Sequence, residues 1–149
     1  MAGRDRVVSL DELIAAMFFI SDAHNPDAAA YLHRLSGEVY WRSDDKLLDE
    51  FYDGEKLPED MENSPEYLPI PNKGQLNVGK ALVFAFVARF MPHAYAEVAA
   101  IFRKPGSYRR FKDMLEERGQ RDCWRRFQGE SEKEAMRHWC RKNDVAFKE

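Results

Sequence analysis

The chain has 149 residues, of which 44% are hydrophobic, 33% charged and 13% aromatic, and its formal net charge is −3. That length suits one domain, and folding at this size buries roughly 70% of the unfolded surface, enough for a core without covalent staples. The aromatic content excludes general disorder, and the two cysteines, Cys123 and Cys140, exclude a disulfide framework and point to a reducing cytoplasm.

The first residues, "MAGRDRVVSLDEL", lack the apolar core of a signal peptide. "SLDELIAAMFFI" then predicts a helix. Ser9 is placed to accept from the backbone N–H of Glu12 while the Glu12 side chain reaches back, and Leu10, Leu13, Ile14, Met17 and Phe18 share one stripe. Pro26 forces extended geometry on Asn25 and closes the element. Ala29–His33 and Glu38–Arg42 flank "RLSG" and predict an antiparallel β-hairpin with Leu32, Val39 and Trp41 on its apolar face. Gly37 supplies the positive φ of the loop.

Residues 43–66 form an acidic connecting segment, with ten acidic residues against two lysines and one turn of helix expected near Leu47–Phe51. Pro69 and Pro71 around Ile70 suit an edge strand or an extended segment. A core helix is predicted from Leu76 to Met91. Its apolar run from Ala81 to Ala88 is closed by Lys80 and Arg89 and falls far short of the ~20 residues of a membrane span.

Pro92 restarts the chain, and Tyr95, Val98, Ala99 and Phe102 follow at helical spacing. "KPG" breaks that helix. Ser107 is placed to cap the next one, with Tyr108, Phe111, Met114 and Leu115 as its stripe and Gly119 as its end. The last helix spans about Arg121 to Lys142, with Cys123, Trp124, Phe127, Ala135 and Trp139 in one broad stripe. A break at Gly129 is the alternative, since glycine there costs about 1 kcal/mol against alanine and Ser131 with Glu134 forms a second capping signature.

These elements describe an α+β fold: a mostly helical single domain, residues 1–149, carrying a small antiparallel β-hairpin. Taken in order, "AYLHRLSGEVYW", "YLPIP", "LNVGKALVFAF", "IFRKPGSYRRFKDMLEERG", "CWRRF" and "EAMRHWCRKND" resemble a bacterial family catalogued only as uncharacterised protein family 0158. The resemblance runs from about Leu10 to Val145. Its most specific parts are Gly37-Glu38-Val39, the Pro-Ile-Pro at 69–71, Arg110-Phe111-Lys112-Asp113 and Trp139-Cys140. Ser107-Tyr108 after Gly106, and Arg125 after Trp124, depart mildly from the family pattern. The resemblance brings no activity, cofactor or catalytic residue with it.

Charge is unevenly spread along the chain. Residues 1–100 hold 9 Lys+Arg and 17 Asp+Glu, a net of −8, whereas residues 101–149 hold 14 and 9, a net of +5. Such a chain neutralises itself, pairs with a copy, or offers one face to an anion. The sharpest local feature is the helix after Gly106. Its cations sit at the first turn and Glu116 and Glu117 at the last, opposite to what the helix dipole favours.

A candidate anion site follows, made of Arg103, Lys104, Ser107, Arg109, Arg110 and Lys112, with Tyr108 and Phe111 anchoring the helix. The competing reading is internal pairing, through Arg109–Asp113, Lys112–Glu116 or the acidic segment folded over the arginines. A pI near 5.9 weighs against nucleic acid as the partner.

Metal and cofactor sites are not expected. Asp22, His24 and Asp27 lie in one turn, and His138 and Cys140 diverge on a helix, short of the four ligands of a structural zinc site. Cys140 beside Trp139 reads as packing. Glu38 fits either acid–base work or a cross-strand pair with an arginine. Nothing holds an acid, base or nucleophile in mutual reach. The residues therefore favour a non-catalytic cytoplasmic binding or regulatory module that engages an anionic ligand or acidic protein partner. The alternatives are an enzyme acting on a phosphorylated or nucleotide substrate, and a self-associating structural protein.

Overall fold

The computed structural model describes residues 7–22, 27–42 and 63–149. Most of the acidic segment, including the turn of helix expected at Leu47–Phe51, lies outside the described residues, as do His24, Asn25 and Pro26. The fold is α+β and mostly helical. The chain divides into two compact units, residues 1–76 with 135–149, and residues 77–134.

In the first unit a two-residue strand β1 (Val8–Ser9) leads directly into helix α1 (Leu10–Ile20). Leu10, Leu13 and Met17 are buried as their spacing predicts, and Ala16 joins them. Phe18 does not; it stays exposed, with Lys73 Nζ 3.8 Å above its ring. Ser9 does occupy the N-cap, but its side chain makes no capping bond. Its backbone is committed to a parallel pairing with strand β5 (Phe147–Lys148), with Ser9 opposite Lys148. At the other end, Ser21 Oγ donates to the Met17 carbonyl at 2.6 Å and accepts from the Lys73 amide at 2.9 Å.

Strands β2 (Ala29–His33) and β3 (Val39–Arg42) form the antiparallel hairpin, with Leu32 opposite Val39 and Ala30 opposite Trp41. Those four residues share one face. Ala30 and Leu32 are buried on it, and Trp41 meets Phe19 at 4.8 Å. Gly37 has φ 75° at the loop. Strand β4 (Tyr67–Pro69) pairs antiparallel with the other side of β2, so the sheet order is β3-β2-β4 and the proline strand is an edge.

The second unit holds helices α2 (Lys80–Phe90), α3 (Tyr95–Ile101) and α4 (Ser107–Glu117), with a short 3-10 turn at Pro92–Ala94. Helix α2 starts four residues later than the apolar density predicts. Buried Val78 and the non-helical Gly79 precede it, and Asn77 has φ 58°. Aromatic rings fill the interior: Phe86 meets Trp124 at 5.2 Å and Phe127 at 5.4 Å, and Trp124 meets Phe111 at 5.2 Å.

Helix α5 (Arg121–Lys142) is continuous over 22 residues, so Gly129 does not break it. Gln128, Glu130, Glu132, Lys133 and Glu134 around the glycine are good helix formers, and their summed propensity outweighs one glycine. The buried side continues past Gly129 through Met136 and Cys140. No atom outside the local helix lies within 4 Å of a Cβ built on Gly129. Gly129→Ala is therefore expected to raise stability by about 0.5–1 kcal/mol, read as a higher urea midpoint. A lower midpoint would mean that the helix needs a weak point there.

Candidate functional site

The turn before α4 is set by Gly106, whose φ of 74° excludes most side chains and makes it the helix N-cap. Ser107, expected to cap, is instead the first helical residue, and the N-cap Gly106 has no side chain to cap with. The Arg110 amide reaches the Gly106 carbonyl at 3.3 Å. The amides of Ser107, Tyr108 and Arg109 precede that first intrahelical bond and have no partner within the helix. There is no acidic residue in the first turn. The far end is closed by Gly119 (φ 67°), where the Gly119 amide donates to the Glu116 carbonyl and the Gln120 amide to the Leu115 carbonyl.

Helix α4 sits on its stripe as predicted at Phe111, Met114 and Leu115, all buried. Tyr108 departs from it. It is 45% exposed and stands edge-on to Phe102 at 5.2 Å, so it does not anchor the helix in the core. Position 108 lies at the margin of the stripe, where a phenol keeps its hydroxyl in water. Partial burial still pushes that phenol above its usual range, leaving a neutral hydroxyl at pH 7.

Arg103, Lys104, Arg109, Arg110 and Lys112 are all exposed. Among the described residues none of them makes an ion pair. The pairs expected at i, i+4 do not form. Glu116 meets Arg121 at 3.4 Å instead of Lys112, and Arg109 makes no pair with Asp113. Glu97 meets Arg118 at 2.6 Å. Glu97 and Glu116 thus serve arginines beyond the C-terminal end of α4, while the cations at its N-terminal end hold no carboxylate among the described residues.

Two neighbours of this cluster were not identified from sequence. Lys80 Nζ lies 5.9 Å from the centre of the Phe102 ring, and Tyr95 is 44% exposed beside Phe84. Helical spacing puts Tyr95 on the same side of its helix as Phe102, but only packing brings Lys80 and the bridging Phe84 of α2 to them.

In the first unit, the hairpin loop gathers a serine, a histidine and a carboxylate. His33 Nδ1 accepts the Ser36 amide at 3.2 Å and lies 2.8 Å from the Ser36 hydroxyl, while Nε2 is 3.6 Å from Glu66. Ser36 Oγ also accepts the Glu38 amide at 3.2 Å. These bonds are confined to a turn and its neighbouring strand, and what they do is close the loop around Gly37. Glu38 accepts from the Tyr40 hydroxyl and makes no arginine pair among the described residues.

Among the described residues no three His, Cys, Asp or Glu side chains gather as a metal site would require. His138 is exposed while Cys140 is fully buried, so the two diverge as their spacing predicts. Burial pushes the Cys140 thiol up to about 11, against the opposing pull of Arg141. Under native conditions at pH 8 we expect a thiol reagent to modify half-buried Cys123 quickly and Cys140 slowly. Two equally fast thiols would contradict the burial. The unfolded chain releases the Cys140 proton first, from about pH 9, so this group makes stability fall as pH rises from about 9 to 11.

No helix among the described residues is long and apolar enough to cross a membrane. A family model described as Uncharacterised protein family (UPF0158) matches residues 5–149. No curated protein and no solved structure matches the chain.

Proposed function

We propose the following role for this chain, which belongs to the uncharacterised protein family UPF0158: a non-catalytic binding or regulatory module of the bacterial cytoplasm. It engages an anionic ligand or the acidic surface of a partner protein through the start of α4. The observation that supports this reading is the contrast along one helix. Arg118 and Arg121, beyond its C-terminal end, hold carboxylates, while Arg103, Lys104, Arg109, Arg110 and Lys112 hold none among the described residues.

Five cations near the positive end of a helix dipole repel one another and the dipole. A bound anion relieves both repulsions. Arginine suits that task because its planar fork pairs with two oxygens of a phosphate or carboxylate at once. Lys104 and Lys112 add charge that is less particular about geometry. Ser107, in the first turn, brings a hydroxyl donor to the same end of the helix.

The test is calorimetric titration of the full chain with inorganic polyphosphate at low and at high salt. Binding that weakens steeply with salt is expected. Heat that is absent, or independent of salt, would overturn the proposal.

A further inference from the structure

We infer that residues 77–134 bind single-stranded nucleic acid, with phosphates on the exposed cations and bases stacked on Tyr95 and Tyr108. This rests on the anion reading above and names the class of ligand. It starts from a different observation, a row of four rings drawn from three helices and the turn after one of them. Tyr95 meets Phe84 at 5.6 Å, Phe84 meets Phe102 at 5.8 Å, and Phe102 meets Tyr108 at 5.2 Å.

Exposure along the row is uneven. Phe102 is buried, whereas the two terminal tyrosines are the exposed members, at 44% and 45%. Large rings left in water at both ends of a packed row form a surface that a simple phosphate does not use.

Cations border this row. Lys80 Nζ lies 5.9 Å from the Phe102 ring, Arg103 and Lys104 follow Phe102 in the chain, and Arg109 follows Tyr108. Exposed aromatic rings beside cations that track a backbone are the composition of single-strand platforms, because every base has a face that stacks. A duplex hides those faces, so it gains only the charge term. An acidic peptide gains only the charge term as well.

The acidity of the whole chain, which weighs against nucleic acid, arises elsewhere in the sequence. Residues 77–134 hold 12 Lys+Arg and 8 Asp+Glu, a net of +4, and the remaining residues carry −7.

The experiment is fluorescence anisotropy of the full chain with two labelled probes of equal phosphate number. One is an oligothymidylate of about 15 nucleotides, the other its abasic counterpart. We expect the oligothymidylate to bind at least about 10-fold more tightly than the abasic strand. Tyr95→Ala with Tyr108→Ala should lower it to the abasic level, and Tyr95→Phe with Tyr108→Phe should keep the tight binding. Equal binding of the two probes overturns the inference and, if salt-sensitive, leaves the anion reading standing. So does displacement of the oligonucleotide by polyglutamate of equal charge at equal concentration. If neither probe binds, the inference falls, and the polyphosphate titration decides the anion reading separately.

Discussion

Replacing Phe111 by alanine is expected to lower the unfolding free energy of residues 77–134 by about 3–5 kcal/mol. The Phe111 ring is completely buried. It stands nearly perpendicular to Trp124 at 5.2 Å and tilts 65° against Phe102 at 5.9 Å. Truncation therefore removes the transfer energy of the ring, opens a cavity, and deletes two edge-to-face contacts of about 0.5–1.5 kcal/mol each. Trp124 and Phe102 are themselves packed against other rings, so neither can swing far into the gap.

The same ring ties α4 to the rest of its unit, and the cations of the candidate site stand on that helix. Urea unfolding followed by tryptophan fluorescence reads the loss. A cost below about 1 kcal/mol would mean that α4 does not sit on this core.

The second large effect is on binding. Arg109→Gln together with Arg110→Gln removes two of the five exposed cations of the site. For a flexible polyanion, each neutralised phosphate contributes about −0.7 to the slope of log K against log salt. Losing two contacts should make the slope for polyphosphate shallower by about 1.4 and weaken binding about 25-fold near 0.1 M salt. The fold should survive, because both side chains are exposed and neither makes an ion pair among the described residues. Arg118→Gln in a parallel sample is the control. That residue already pairs with Glu97, so its loss should change the slope little. Equal slopes for wild type and the double variant would place the bound anion elsewhere.

The elements were legible in the sequence where one period or one residue decides the local geometry. The 3.6-residue stripe gave Leu10, Leu13 and Met17 in α1 and Phe111, Met114 and Leu115 in α4. Alternation and Gly37 gave the hairpin, and Pro69 gave its edge partner. Features that depend on remote chain were not legible. The pairing of β1 with β5 joins the two ends of the described chain through two residues each, too short a match to leave a pattern.

The two serine caps failed for different reasons, one remote and one local. Ser9 is held by that distant strand, and Ser107 is displaced by the left-handed backbone of Gly106. The site was half legible. Its cations could be read directly, because charge is composition. Their lack of partners among the described residues could not, because that depends on where Glu97 and Glu116 point once the helices pack. Lys80 and Phe84 reach the Phe102 neighbourhood by packing alone.

The claim that the cations at the start of α4 stand without carboxylate partners is tested most directly by thermal unfolding of the Arg109→Gln, Arg110→Gln chain at low ionic strength. The transition should fall at the wild-type temperature or up to a few degrees above it, since two charges leave the positive end of a helix dipole, each misplacement costing about 0.3–1 kcal/mol. A drop of about 5 °C or more would contradict the account, because it would show that these guanidinium groups were holding carboxylates of their own chain.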